Sequence, residues 1–215
     1  IISCYDSYDD SQLSHLLDWA DVVCIGCGLG MGQISEKILT YVLKNISCPC
    51  VIDADGLNLL SRNIDLLNQC GAPVILTPHM KEMSRLTGWS IDKIMEDRFQ
   101  ALDQIIKQSG PDTKSSIICV LKASRTVVAQ TNRQRFVNLA GNNSMAKGGS
   151  GDVLAGTITG LLAQHMAPFE AAAVGVFLHA CGGDEAKKSK GSYSVLARDL
   201  IQGMADAMKN AKECR

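Results

Sequence analysis

Short apolar runs alternate along the chain with longer segments of helical periodicity, and this rhythm restricts the fold more than any single motif does. The runs are 21–25 (DVVCI), 50–52 (CVI), 73–76 (PVIL) and 116–121 (SIICVL). Each is too short for a helix and lacks the apolar–polar alternation of a strand with one wet face, so each predicts a strand buried on both sides. Helices are predicted over about 33–43, from near Gly56, and from Pro78 to about Leu86 with Gly88 as its stop. A further one is capped by Ser90 and carries Ile91, Ile94, Met95 and the 99–106 stretch at helical spacing. Segments 126–129 and 135–139 read as a hairpin, and helices over about 151–164, 169–187 and 195–209 close the chain. The run AAAVGVFLHAC (171–181) is apolar nearly all round, which predicts a buried helix. Strands alternating with helices predict an α/β fold of three layers, αβα, around a mostly parallel sheet. In such sheets ligands bind beyond the carboxyl ends of the strands. The 215 residues suit one domain spanning 1–215.

Composition narrows the function classes. Hydrophobic residues make up 46%, too many for a disordered chain. With 21 basic and 22 acidic residues and no run of like charge, neither nucleic acid nor an anionic membrane surface is an expected partner. The longest apolar stretch, 171–183, contains His179 and is too short to span a bilayer. The first ten residues hold three Asp and no Lys or Arg, unlike a secretory leader, so the cytoplasm is the expected location. Of the nine cysteines, Cys24, Cys119 and Cys181 lie in apolar runs and read as reduced core packing. The Cys24/Cys27 and Cys48/Cys50 pairs have zinc-like spacing, but no His lies near them in sequence, and core packing is again the expectation.

The segment 141–156, GNNSMAKGGSGDVLAG, carries the sharpest chemical signal. Gly148, Gly149, Ser150 and Gly151 lead straight into a helix. Backbone with little side chain lets successive N–H groups turn toward one point, and the helix start adds unpaired donors and the positive end of a dipole. Together these form an anion site suited to phosphate. Asp152, in the first turn, is a candidate base for a hydroxyl beside that phosphate; alternatively it is only an acid favoured by the dipole. The segment is not a Walker loop, because Ala146 and Gly148 stand where that pattern needs Gly and Ser or Thr. The GCGLGMG run (26–32) likewise fails the dinucleotide fingerprint, with Met31 and Gln33 at the glycine positions.

GGSGD followed by VLAGTITGLLAQ resembles the ribokinase-like family. With VIDADGLNLL (51–60), LTPHMKEMSRLTG (76–88), VLKASRT (120–126) and FLHACGGDEA (177–186), the chain from about Asp21 onward is similar to the bacterial ADP-dependent NAD(P)H-hydrate dehydratases. This resemblance implies an enzyme that uses ADP, with Mg2+, to dehydrate hydrated NADH and NADPH (NADHX and NADPHX), and a homo-oligomer, often a tetramer. It makes Asp152 the catalytic base and substrate contact, and Gly148, Gly149, Ser150 and Gly151 the anion hole. Lys122, Ala123, Ser124, Arg125, Thr126 and Gly151 fall at the nucleotide. Gly28, Gly30 and His79 contact substrate, and Glu82 falls where related kinases keep a magnesium-organising Glu. The family carries a further N-terminal strand-helix segment, which this chain, beginning at Ile1, is expected to lack. It also usually has Ala in place of Gly56.

Each assignment has a plainer alternative. His79 at a helix start serves as a cap, Glu82 as a first-turn acid, and Lys122 as a lysine reaching solvent from a strand end. Asp53 and Asp55 either cap the helix beginning near Gly56 or hold magnesium-bound water. His179 reads as a satisfied core histidine, and His15 and His165 as surface residues. Two further functions stay open: a ribokinase-like kinase acting on a vitamin-precursor hydroxyl, and a non-catalytic nucleotide-binding piece.

Overall fold

The computed structural model describes residues 8–107, 116–131 and 134–213. Among these, six strands form one sheet: β1 (Val23–Ile25), β2 (Cys50–Ile52), β3 (Val74–Leu76), β4 (Ile117–Leu121), β5 (Val127–Gln130) and β6 (Arg135–Val137). They lie side by side in chain order, with β1 to β4 parallel and β4, β5 and β6 antiparallel. The helices are α1 (Asp10–Trp19), α2 (Gln33–Asn45), α3 (Asp55–Leu60), α4 (Met80–Thr87), α5 (Ile91–Glu96), α6 (Arg98–Ile106), α7 (Ser150–Ala163), α8 (Pro168–Ser194) and α9 (Ala197–Glu213).

The layering follows from chain order. Parallel strands laid down sequentially require right-handed crossovers, which put every crossover helix on the same face. Alternate strand residues then divide between two cores. Ile52, Leu76, Cys119 and Leu121 pack with Leu39, Leu43, Leu57, Met83 and Leu102 of the crossover helices. Val51, Ile75, Ile118 and Val120 face Leu154, Ala155 and Ile158 of α7 and Ala171, Ala172 and Val176 of α8. β2, β3 and β4 are buried throughout, as their uniformly apolar sequences predict, while β1 and β6 form the edges.

Several local expectations change. The predicted helix beginning at Ser90 breaks in two at Asp97, whose carboxylate accepts the Gln100 amide at 2.9 Å and starts α6. Pro78 lies ahead of α4 rather than in its first turn, because His79 is the N-cap. α8 runs to Ser194, interrupted at Gly191 (φ 73°), and is not buried all round: Val174 and Phe177 are exposed. Its small residues make the close contacts instead, and a Cβ on Gly175 would come within 2.7 Å of Ile158. Cys24 and Cys27 are exposed, although Cys50 and Cys119 are buried as expected. α1 and the 3-10 segment Ile64–Gln69 were not foreseen.

One backbone approach positions the edge that carries the candidate chemistry. Gly26 has φ +122°, and a Cβ there would lie 1.8 Å from the Asp53 carbonyl oxygen; opposite, a Cβ on Gly56 would meet Ile52 at 2.9 Å and Gly26 at 3.1 Å. The turns after β1 and β2 can touch only because both residues lack side chains. The clash at Gly26 is with rigid backbone, so Gly26→Ala will lower unfolding free energy by more than about 3 kcal/mol. Gly28, at φ +69° in open space, tolerates alanine at a cost of about 1 kcal/mol. Parallel urea melts of the two variants check this ordering.

Candidate functional site

The polar residues that follow β1, β2, β3 and β4 meet the start of α7 at one edge of the sheet. Asp53, directly after β2, is 1% exposed. Its Oδ1 accepts a hydrogen bond from Lys122 Nζ, directly after β4, at 2.7 Å. Lys122 therefore turns inward, its side chain 18% exposed, rather than reaching into solvent. Its backbone is set by a parallel bridge to His79 and by donation to the Pro78 carbonyl at 2.8 Å. A Cβ placed on Gly151 would lie 3.3 Å from Lys122 Nζ and 3.5 Å from Asp53 Oδ2, so the ion pair faces the first turn of α7.

The glycine-rich approach to α7 has the form expected of an anion site. Gly149 is the N-cap, at φ 84°, with no side-chain cap. Ser150 N donates to the Lys147 carbonyl at 3.3 Å, whereas the amides of Gly148, Gly149 and Gly151 have no acceptor among the described residues. Asp152 is exposed in the first turn. Its carboxylate, the Cys27 thiol and the Asp53 carboxylate offer atoms that all lie within 4.8 Å of one another. The Cys27 thiol is pushed up to about 12, first by desolvation, then by the Asp53 charge and its hydrogen bond to Asp152. The loop before the helix is tied to α8: Asp184 accepts from Gly141 N at 3.0 Å and Asn142 Nδ2 at 2.8 Å.

His79 and Glu82 form a reciprocal capping box. His79 Nδ1 accepts from the Lys81 and Glu82 amides at 3.1 and 3.2 Å, while Glu82 Oε2 accepts the His79 amide at 2.8 Å. The same carboxylate lies 4.0 Å from Lys122 Nζ. Burial raises the Glu82 pKa against the opposing His79 hydrogen bond and Lys122 charge. Glu82 Oε2 is thus held by the His79 amide, and Oε1 lies 3.4 Å from His79 Nε2. Gly30 N is likewise engaged, by Asp55 Oδ2 at 2.9 Å. Asp53 and Asp55 thus do not cap α3, which has no side-chain cap: one pairs with Lys122 and the other ties down the turn after β1. Ala123, Ser124, Arg125 and Thr126 form the β4–β5 turn, with Ser124 and Arg125 exposed and Thr126 Oγ1 donating to the Ala123 carbonyl at 3.3 Å.

Sequence reasoning missed the central place of Asp53 and the contact between Ser150 and His179. The available signal for Asp53 was its position, an acid immediately after a wholly buried strand. His179 is buried, as expected of a core histidine, but its partner is the glycine-rich loop: Nε2 lies 3.3 Å from Ser150 Oγ. Desolvation lowers its pKa to about 4 against the hydrogen bond that the ring donates to the Ser150 backbone, and the Lys122 charge adds to the lowering.

An αβα sheet with a glycine-rich helix start and a carboxylate in its first turn defines the class, a ribokinase-like α/β protein. The chain matches the NAD(P)H-hydrate dehydratase family over residues 2–205 and belongs to that family. It is 37% identical over 204 residues to the bifunctional NAD(P)H-hydrate repair enzyme Nnr of Moorella thermoacetica, covering 95% of this chain and 37% of that one. To the ADP-dependent (S)-NAD(P)H-hydrate dehydratase of Neisseria meningitidis it is 37% identical over 189 residues, covering 86% of this chain and 62% of that one. The ADP/ATP-dependent NAD(P)H-hydrate dehydratase of Bacillus subtilis, co-crystallised with ATP/Mg2+ and soaked with CoA, superposes with a TM-score of 0.73 at 28% identity. That match covers 88% of this chain and 66% of the other. The chain thus spans between about a third and two thirds of these relatives' lengths.

The buried histidine has a measurable signature. In the folded protein His179 stays neutral down to about 4, whereas in the unfolded chain it takes a proton near 6.5. Between those values the unfolded state binds more protons, so stability rises with pH through the window, by roughly 3 kcal/mol in total. Urea melts from pH 4 to 7 will show this increment in the unmodified chain and its absence in His179→Gln.

Proposed function

We propose that this chain dehydrates hydrated NADH and NADPH at the expense of ADP, with Asp152 as the catalytic base. The observation that carries this reading is the meeting of two opposite fields at the start of α7. The amides of Gly148, Gly149 and Gly151 have no acceptor among the described residues, the Lys122 ammonium lies against Gly151, and the exposed Asp152 carboxylate stands in the same helix turn. The amides, the helix dipole and Lys122 suit the phosphates of a nucleotide, and preorganised donors of this kind stabilise charge that develops during phosphoryl transfer.

In the proposed reaction Asp152 takes the proton of the ring hydroxyl of the hydrated nicotinamide. The hydroxyl oxygen attacks the terminal phosphorus of ADP, and AMP leaves. Phosphate then departs from the ring with its oxygen, a ring proton is lost, and the reduced nicotinamide is restored. Gly148, Gly149, Ser150 and Gly151 hold the transferring group, and the turn of Lys122 to Thr126 lies at the adenine nucleotide. Gly28, Gly30 and His79 border the substrate. For Gly30 and His79 the contact falls to atoms other than those already bonded to Asp55 and α4.

Magnesium fits this site as an ion carried on the nucleotide phosphates, with Asp53 toward its water shell; when bound it would neutralise phosphate charge. Glu82 serves indirectly, by holding the His79 amide and standing near Lys122.

A positioned base contributes about 10²–10⁴ in rate. Asp152→Asn will therefore retain the fold, by circular dichroism, and lose turnover by that order. The assay incubates hydrated NADPH with ADP, with ATP or with neither, and follows the return of reduced-cofactor absorbance. Near-normal turnover of the variant would remove Asp152 from its role. A stable phosphorylated product without recovered absorbance would instead assign a kinase.

A further inference from the structure

We propose that Cys27, Asp53 and Asp152 form a binding site for one thiophilic divalent cation, of the zinc, cobalt or cadmium type, whose occupancy shuts off the base. The three side chains come from three separate elements: the turn after β1, the residue after β2, and the first turn of α7. Their donor atoms lie within 4.8 Å of one another, a spacing that small side-chain adjustments bring to a single ion. A thiolate and two carboxylates, with water in a fourth position, make a tetrahedral set for zinc, and the sulfur selects against magnesium.

A second observation points to a ligand. Asp53 is 1% exposed, and only Oδ1 is paired, with Lys122 at 2.7 Å; Oδ2 accepts no hydrogen bond among the described residues. Oδ2 lies at the rim of the residue's burial, keeps a small contact with solvent and has no fixed donor, so it is open to a cation or a protic group that reaches it. Charge balance agrees: a thiolate, two carboxylates and one ammonium sum to −2, which a divalent cation neutralises. Binding forms the Cys27 Sγ–metal bond and releases the thiol proton to solvent.

The inhibitory consequence rests on Asp152 being the base, since a lone pair given to a metal cannot take a proton from substrate. The binding itself does not, and it is read without ADP or hydrated cofactor. Cobalt titrated into the whole chain is expected to produce a thiolate-to-metal charge-transfer band saturating at one ion. The midpoint should move about 10–100-fold to weaker binding in Cys27→Ser and in Asp152→Asn, at least the loss seen when an outer-shell partner of a metal is removed. Magnesium should produce no band. In the unmutated chain, zinc should protect Cys27 from iodoacetamide, mapped by peptide mass spectrometry against the other eight cysteines as internal controls. Equal cobalt midpoints in the unmodified chain and both variants, or equal alkylation of Cys27 with and without zinc, would overturn the site. If binding holds but zinc leaves turnover intact, the site stands as a metal site and its link to the base is lost.

Discussion

The Lys122–Asp53 ion pair is the interaction on which the candidate site depends. A carboxylate that is almost wholly buried cannot persist as an ion without a partner, and the ammonium at 2.7 Å supplies one. The pair links the ends of β2 and β4 across the intervening β3, so it holds the rim of the sheet at a fixed width. It also lies against Gly151, where a Cβ would crowd Lys122 Nζ at 3.3 Å and touch Asp53 Oδ2 at 3.5 Å. A buried pair of this kind is weak evidence for net stability, because desolvation offsets most of its attraction. Its consequence is positional: it puts a cation beneath the helix start that presents free amides.

The surrounding backbone is shaped to bring that rim together. The contact of Gly26 with Asp53 and Gly56 lets the turns after β1 and β2 close on each other, and Ala54, between the two aspartates, takes φ 48° as part of the same turn. A non-glycine residue there costs on the order of 1–3 kcal/mol and persists only where its surroundings over-determine it. Here the surroundings are Asp53 with Lys122 on one side and Asp55 with Gly30 on the other. Glycine at 56, where relatives were expected to have alanine, fits the same crowding, since Ile52 stands 2.9 Å from the position of a Cβ.

Local signals were the legible ones. The uniformly apolar strands, Ser90 as a cap, Gly88 as a left-handed stop and the glycine-rich start of α7 each depend on neighbours within a few residues. What stayed hidden depends on residues far apart. Lys122 and Asp53 are 69 positions apart, and nothing local says whether a lysine at a strand end turns inward. Ser150 and His179 are 29 apart, so a histidine in an apolar helix read only as core. α8 misled for a related reason: periodicity shows that all its faces are apolar but not which face the small residues turn inward, and Val174 and Phe177 were left outside. Cys24 was read as core because its run is apolar, and Cys27 because no His lies near the pair; yet they lie on an edge strand and in its turn, and an edge has fewer neighbours to cover it.

The charges at the start of α7 also explain why the helix is held by a neutral partner. Ser150 belongs to the loop proposed to receive an anion, and a protonated imidazole beneath it would add a second fixed cation next to Lys122. Burial and the Lys122 charge both oppose that protonation and keep His179 neutral down to about 4. The ring can therefore steady Ser150 without changing the local charge at neutral pH. Positive potential toward a phosphate then comes from the amides, the helix dipole and one lysine. The acid side chains Asp53 and Asp152 lie beside it, so opposite charges meet at one helix start.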